Sequence, residues 1–278
     1  HDAVDVPVIF HAHNNLGMLR MERGDVAGAI TSFRSALELR PDFSEATSNM
    51  GFLLQEEGRA DEAIELFRRA MRADPRNARA AYNLGLALKL KDQLQEALAE
   101  LRKAEELDPS QPDVHYTLGV TLWQQGAFDE SVKELRAAIS ARSDYAEAYY
   151  TLGTVLKQQG KLPDAADALR EAIRLQPDFA GAHTTLASVL RAQGDNEGAA
   201  AEARAGAQIG RQTTGLQAAT LATSSGRRLL DAGDVDGAIV QFRSAINSSP
   251  NYAQAHFQLA IALKRKGDKD ESAKEFRR

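Results

Sequence analysis

The chain has 278 residues and carries 34 basic and 39 acidic side chains, a formal net charge of −5. That mild acidity argues against a nucleic-acid partner, which leaves a basic footprint. The absence of cysteine removes disulfides and thiolate metal sites, and no apolar run approaches the roughly 18 residues that a membrane span requires.

Residues 1–9 read as an N-terminal tail. His1 stands where methionine would open a gene product, and HDAVDVPVIF lacks the basic-then-apolar order of a signal peptide. The cytoplasm is therefore favoured, with export open if a leader has been removed. From residue 10 a 34-residue frame sets in, clearest in Gly51, Gly85, Gly119 and Gly153. Counting that glycine as position 8, repeat one (10–43) carries Leu16, Gly17, Ala29, Phe33, Ala36 and Pro41. Repeat two (44–77) carries Met50, Gly51, Ala63, Phe67, Ala70 and Pro75, and repeat three (78–111) Leu84, Gly85, Ala97, Leu101, Ala104 and Pro109. Repeat four (112–145) has Leu118, Gly119, Ser131, Leu135 and Ala138, with Ser143 where proline would stand. Repeat five (146–179) has Leu152, Gly153, Ala165, Leu169, Ala172 and Pro177. Repeat six (180–213) is degenerate: it keeps Leu186, Ala187 and Ala199, but Ala203, Gly206 and Arg211 replace the bulky residue, the second alanine and the proline. An insertion at 214–218 shifts the frame. Repeat seven (219–252) recovers Gly226, Ala238, Phe242, Ala245 and Pro250, and a partial repeat eight opens at 253 with His256, Leu259 and Ala260.

Each unit is one helix pair, A then B, that cannot bury its apolar face alone, so neighbours must stack. Small residues at position 8 and on helix B let the paired helices approach. Leucines and phenylalanines at i, i+3, i+4 spacing supply the buried stripe. Gly24, Gly58, Gly126 and Gly160 fit left-handed helix ends. Pro41, Pro75, Pro109 and Pro177 forbid continuation of helix B, and Asp42, Asp74, Asp108 and Asp178 flank them as turn or cap residues.

A Leu-Gly pair, two later alanines flanking a bulky residue and a closing proline resemble the signature of the tetratricopeptide repeat family, over about nine-tenths of the chain. The resemblance implies an all-α, right-handed α-α superhelix, a solenoid of about seven and a half repeats. It also implies that the A helices line a concave groove through positions 2, 5, 6, 9 and 12. Position 6 then offers Asn15, Asn49 and Asn83, followed by Thr117, Thr151 and Thr185. Stacked amides can hold an extended backbone without reading its side chains, and this row resembles, over three rungs, the asparagine ladder in the repeat domain of O-linked N-acetylglucosamine transferase. Position 5 offers Tyr82, Tyr116 and Tyr150; position 9 Met18, Phe52, Leu86 and Val120; position 12 Lys89, Trp123, Lys157 and Arg191. These make a groove with aromatic contact area and a basic stripe.

The carboxylate clamp of chaperone-binding family members maps onto Asn14, Met18, Asn49, Arg79 and Asn83, of which only Asn49 and the basic Arg79 fit. His13, His115, His183 and His256 share position 4 and read as packed histidines; lying 34 residues or more apart, they cannot chelate a metal between adjacent repeats. His11 and His13 fall on different faces of one helix. Acidic residues such as Glu96 and Glu100, near Lys103, read as surface i, i+4 partners. There is no nucleophile with a nearby base, no phosphate loop and no metal-ligand spacing, and the Asn247-Ser248-Ser249 sequon is a chance match.

The expectation is a non-catalytic scaffold, without cofactor or metal, that binds a protein or peptide segment in its groove, with neither nucleic acid nor membrane insertion. Two alternatives stand beside it. One is a recruiting module of a larger enzyme or secretion complex. The other is self-association through solenoid ends, where Leu259 and Phe276 would leave apolar surface.

Overall fold

The computed structural model describes residues 6–277; residues 1–5 of the expected tail and Arg278 lie outside them. Fifteen α-helices and no strands occur among the described residues. In the first unit, which runs to Leu175, the A helices are α1 (Val6–Glu22), α3 (Ser44–Glu56), α5 (Ala78–Leu90), α7 (Pro112–Gln124) and α9 (Ala146–Gln158). The B helices are α2 (Val26–Leu39), α4 (Ala60–Ala73), α6 (Leu94–Leu107), α8 (Phe128–Ala141) and α10 (Leu162–Leu175). The second unit, from Gln176, holds α11 (Ala180–Ala192), α12 (Asn196–Asp231), α13 (Val235–Ser248), α14 (Ala253–Lys266) and α15 (Lys269–Glu275). Helix α1 thus begins four residues before the repeat frame.

Within the first unit every A helix packs on the B helix that follows it, and α1, α3, α5 and α7 also pack on the A helix of the next repeat. The pairing is set by position 8. A methyl carbon placed on Gly17 would lie 2.5 Å from the Phe33 ring, on Gly51 2.7 Å from Phe67, and on Gly85 2.6 Å from Leu101. The same holds for Gly119 against Leu135 and Gly153 against Leu169. Each bulky partner is fully buried, and such burial contributes roughly 1.5–3 kcal/mol per side chain. Glycine is required here because the partner side chain occupies the space its Cβ would take.

The A-to-B turns use the left-handed region at position 15. Seven glycines there have positive φ, and Asp92 in repeat three is the one non-glycine among the described residues to do so, at φ 59°. Aspartate tolerates this conformation better than most side chains. Side-chain caps open several helices: Asp25, Asp195 and Asp234 accept from the amides of Gly28, Gly198 and Gly237, and Asn77 from Ala80.

Repeat four shows what replaces a missing proline. Helix α8 ends at Ala141 although Ser143 stands in the proline position. Just beyond, Arg142 and the Tyr145 hydroxyl both donate to Asp113, each at 2.9 Å. Two bonds to one carboxylate on α7 hold the chain in the turn that proline would otherwise impose.

Repeat six has no such substitute. With Arg211 in the proline position and no network to turn the chain, α12 runs unbroken for 36 residues, about 54 Å at the usual rise. It fuses helix B of repeat six, residues 214–218 and helix A of repeat seven. Ala199 and Gly206 are buried in its first half, and Ala219, Thr223, Gly226 and Leu230 in its second. No residue from 207 to 218 is buried. Here the position-8 pairing changes at both ends: Ala187 replaces glycine and Ala203 replaces the bulky residue, so one lost volume is matched by one added methyl.

Within the second unit, Gly226 resumes the glycine rule, a Cβ there falling 2.6 Å from Phe242. Leu259 is 2% exposed, not part of an open apolar surface. The exposed rings at this end are Phe257 and Phe276, packed edge to face with centroids 5.8 Å apart.

Candidate functional site

Successive A helices in the first unit touch through a constant step, position 5 or 12 of one repeat to position 6 or 13 of the next. Asn49 donates to the Asn14 carbonyl oxygen at 2.9 Å, the Tyr82 hydroxyl lies 3.3 Å from Thr117 Oγ1, and Trp123 Nε1 donates to Gln158 Oε1 at 2.7 Å. Position 6 is therefore buried by the preceding A helix, and the amide row is divided. Asn15, with no earlier helix against it among the described residues, is exposed. Asn49 is 4% exposed and committed internally, since its carbonyl also accepts from Arg79 at 2.8 Å. Asn83 is buried but reaches a cavity. The continuous hydrogen-bonded chain here is Asn14–Asn49–Arg79; only Asn49 of these was assigned to the ladder.

That cavity, about 490 Å³, gathers Asn49, Tyr82 and Asn83 from the expected set, together with Met21, Phe52, Arg79 and Asp113. Its floor is aromatic and aliphatic. Its fixed positive group is the exposed Arg79 guanidinium, which has no carboxylate partner among the described residues. Asp113 is already held by Arg142 and Tyr145. Burial pushes the Tyr82 phenol up, so it stays a neutral hydroxyl.

The remaining expected residues lie apart from this cavity. Tyr116 packs on Tyr145, with centroids 5.0 Å apart. Tyr150, Trp123 and Lys157 are partly buried on α7 and α9. Lys89 on α5 is partly buried as well, and desolvation pulls its ammonium below the ordinary lysine value. Arg191 is exposed on α11, in the second unit.

The histidine column has partners that the sequence reading did not assign. His115 Nδ1 lies 2.9 Å from Glu134 Oε2, and its Nε2 2.9 Å from the Pro109 carbonyl. His183 repeats this with Glu202 at 2.6 Å and Pro177 at 2.9 Å, and His256 with Glu275 at 2.6 Å and Pro250 at 2.7 Å. In each case a position-4 ring ties the incoming proline turn to position 23 of its own helix B. Burial pulls the His115 imidazolium down, but the Pro109 carbonyl and the Glu134 and Glu105 carboxylates outweigh it and hold its pKa above the ordinary value. Glutamate recurring 19 residues after each of these histidines was the available signal. In repeat three the column holds Ala81, and Glu100 at position 23 is left with a buried Oε2 lacking a hydrogen-bond partner. Glu100 is thus not a surface partner of Lys103, and Glu96 pairs with Arg68 of the preceding repeat at 3.1 Å.

Stacked helix pairs with a glycine-to-bulky contact in each regular repeat define a helical repeat protein. Family models described as tetratricopeptide or TPR repeat match residues 20–85, 89–126, 122–160, 150–212 and 226–267. The chain belongs to the tetratricopeptide repeat family. No curated protein matches its sequence. Among solved structures it is similar to pilF of Pseudomonas aeruginosa, at 21% identity and a TM-score of 0.64 over 71% of this chain and 90% of that one. It is also similar to MamA, at 24% identity and 0.57 over 59% and 95%. A third is YrrB, described as a TPR protein with an unusual peptide-binding site, at 18% identity and 0.55 over 84% and 97%. At these identities the likeness is one of fold. No helix among the described residues is long and apolar enough to cross a membrane.

Proposed function

We propose that this protein is a non-catalytic interaction scaffold, and that the A helices of its first unit hold an extended peptide or partner segment. The observation that carries this reading is the cavity beside Arg79. An exposed guanidinium with no carboxylate partner among the described residues, next to Tyr82, Phe52 and Asn83, suits a carboxylate followed by an apolar side chain. Asn83 supplies an amide for the ligand backbone, while Asn49 acts through Arg79, which its side-chain carbonyl orients. Tyr116, Tyr150 and Trp123 extend the surface with the contact area that binding hot spots favour, and Lys89 and Lys157 draw an acidic stretch along it. Asn15 lies at the edge of this reading, and Arg191, in the second unit, is outside it. Membership of the family supports protein binding as the role, since its helical repeats present extended concave surfaces.

The test is a peptide library displayed against the whole chain and read by the fluorescence of Trp123, the single tryptophan. Peptides with a free or side-chain carboxylate two or three residues from an apolar residue should be selected. Arg79→Glu should reduce their affinity by about tenfold or more, as expected for a charge-assisted contact. Selection unaffected by Arg79→Glu and by Tyr82→Ala would place binding elsewhere.

A further inference from the structure

The three histidine clamps differ in the residue that precedes the histidine by ten positions. Ten positions before the histidine stand Ile173 in the second and Ile246 in the third, but Glu105 in the first. A clamp works with isoleucine there, so Glu105 is not needed to hold the turn. Its presence has an electrostatic cost: a second carboxylate is set beside the buried Glu134 in a partly desolvated position. Two carboxylates and an imidazole nitrogen converge here from three helices, with the His115 ring and the Lys133 ammonium as the nearby positive groups.

The cluster that holds the turn also has the donor set and spacing of a metal site. Glu105 comes from α6, His115 from α7 and Glu134 from α8, and one ligand atom of each lies within 4.8 Å of the others. His115 Nδ1 is 2.9 Å from Glu134 Oε2 and 3.6 Å from Glu105 Oε1. These distances bracket the roughly 3.3 Å between ligand atoms around a tetrahedral zinc with bonds near 2.0–2.1 Å. The far ring nitrogen points at the Pro109 carbonyl at 2.9 Å, the arrangement that fixes the tautomer and orientation of a metal-bound histidine. A cleft of about 260 Å³ opens onto both carboxylates and gives an ion a way in. Its rim cations are Arg102, paired with Glu130 at 2.7 Å, and Lys133, whose exposed ammonium pairs with Glu134 Oε1 at 3.5 Å.

We propose that Glu105, His115 and Glu134 form a binding site for a divalent ion of the zinc type, with a fourth position open to water from the cleft. Nitrogen with carboxylate oxygens suits Zn²⁺ over Mg²⁺ or Ca²⁺, which take oxygen alone. The ion replaces the proton on Nδ1, so each Zn²⁺ bound by a protonated ring releases one H⁺. Because the ligands span α6, α7 and α8, the bound ion ties repeat three to repeat four.

The experiment uses the full chain, stripped with chelator and titrated calorimetrically with Zn²⁺ alone. One ion per chain is expected, with Zn²⁺ raising the melting temperature and Mg²⁺ not doing so. Glu105→Ile, which installs the residue of the other two clamps, should keep the helical circular dichroism and weaken Zn²⁺ binding on the order of 100-fold. Glu105→Gln, nearly isosteric, guards against a packing artefact and should weaken binding likewise. Glu202→Gln in the second clamp should leave it unchanged. The exposed His11 is the competing donor, so a His11→Ala, His13→Ala variant should still take up one ion. No uptake by wild type, uptake indifferent to both Glu105 substitutions, or uptake lost with His11 and His13 would each overturn the assignment.

Discussion

Gly85→Ala tests whether the glycine column is a steric requirement or a family habit. The added Cβ would meet Leu101 Cγ at 2.6 Å and Cδ2 at 2.9 Å, with the Ala97 carbonyl oxygen at 3.3 Å. Leu101 is fully buried, so it has nowhere to move without shifting α6. Overpacking of this kind costs about 1–3 kcal/mol. Against it, alanine gains about 1 kcal/mol of helix propensity over glycine, so the single substitution nets only about 0–2 kcal/mol of loss. A double-mutant cycle removes the ambiguity. Leu101→Ala alone should cost about 2–5 kcal/mol. In that background Gly85→Ala meets no side chain, keeps its propensity gain and partly refills the space, so it should stabilise. The propensity contribution cancels across the cycle, leaving a favourable coupling of about 1–3 kcal/mol. Repeat six already carries the double replacement as Ala187 and Ala203. Because repeat arrays can unfold in parts, urea titration by circular dichroism should be joined to amide exchange in α5 and α6. Zero coupling, with Gly85→Ala equally stabilising in both backgrounds, would refute the steric account.

Asp92→Gly should stabilise by about 0.5–1 kcal/mol, because it relieves a non-glycine residue in the left-handed region; a lower melting temperature would show that Asp92 makes a contact worth more than its strain. Ala81→His should give the orphaned Glu100 a partner as in the other clamps, raising stability by about 1 kcal/mol after the packing cost, and no gain in Ala81→His over Ala81→Phe would sink that reading. Amide exchange should be fastest in the segment 197–218, where burial is sparse; protection equal to that of α5 or α9 would show that continuous helix alone suffices. For a peptide found by the library, Trp123→Ala should speed dissociation at a cost of about 2 kcal/mol. Lys157→Glu should instead slow association and flatten its salt dependence, and a ligand indifferent to both would move the site off α7 and α9.

The helix pairs were legible because they rest on one repeated steric event, glycine against a bulky side chain, that leaves a periodic mark in the sequence. The continuity of α12 was half legible. Arg211 in place of proline was visible, but so was Ser143, and only the bonds of Arg142 and Tyr145 to Asp113 separate a turn that survives from one that does not. The amide row was read from a family pattern by column. The step from position 5 to position 6 of the next repeat, which buries Asn49 and leaves Asn15 exposed, is a property of stacking and leaves no mark within one repeat. The histidine column was seen one residue type at a time, so carboxylates 19 residues later and ten residues earlier went unassigned.

Helix α12 has a bearing on how such a protein can change over generations. Solenoids lengthen and shorten by gaining or losing whole units, and a unit is separable only where the chain turns between two helices. At α12 that turn is gone, so a duplication or deletion ending near 213 would sever a helix between its buried Gly206 and Ala219 contacts and leave both halves with a raw end. Repeats six and seven can be inherited, moved or dropped only together, as one double-length cassette.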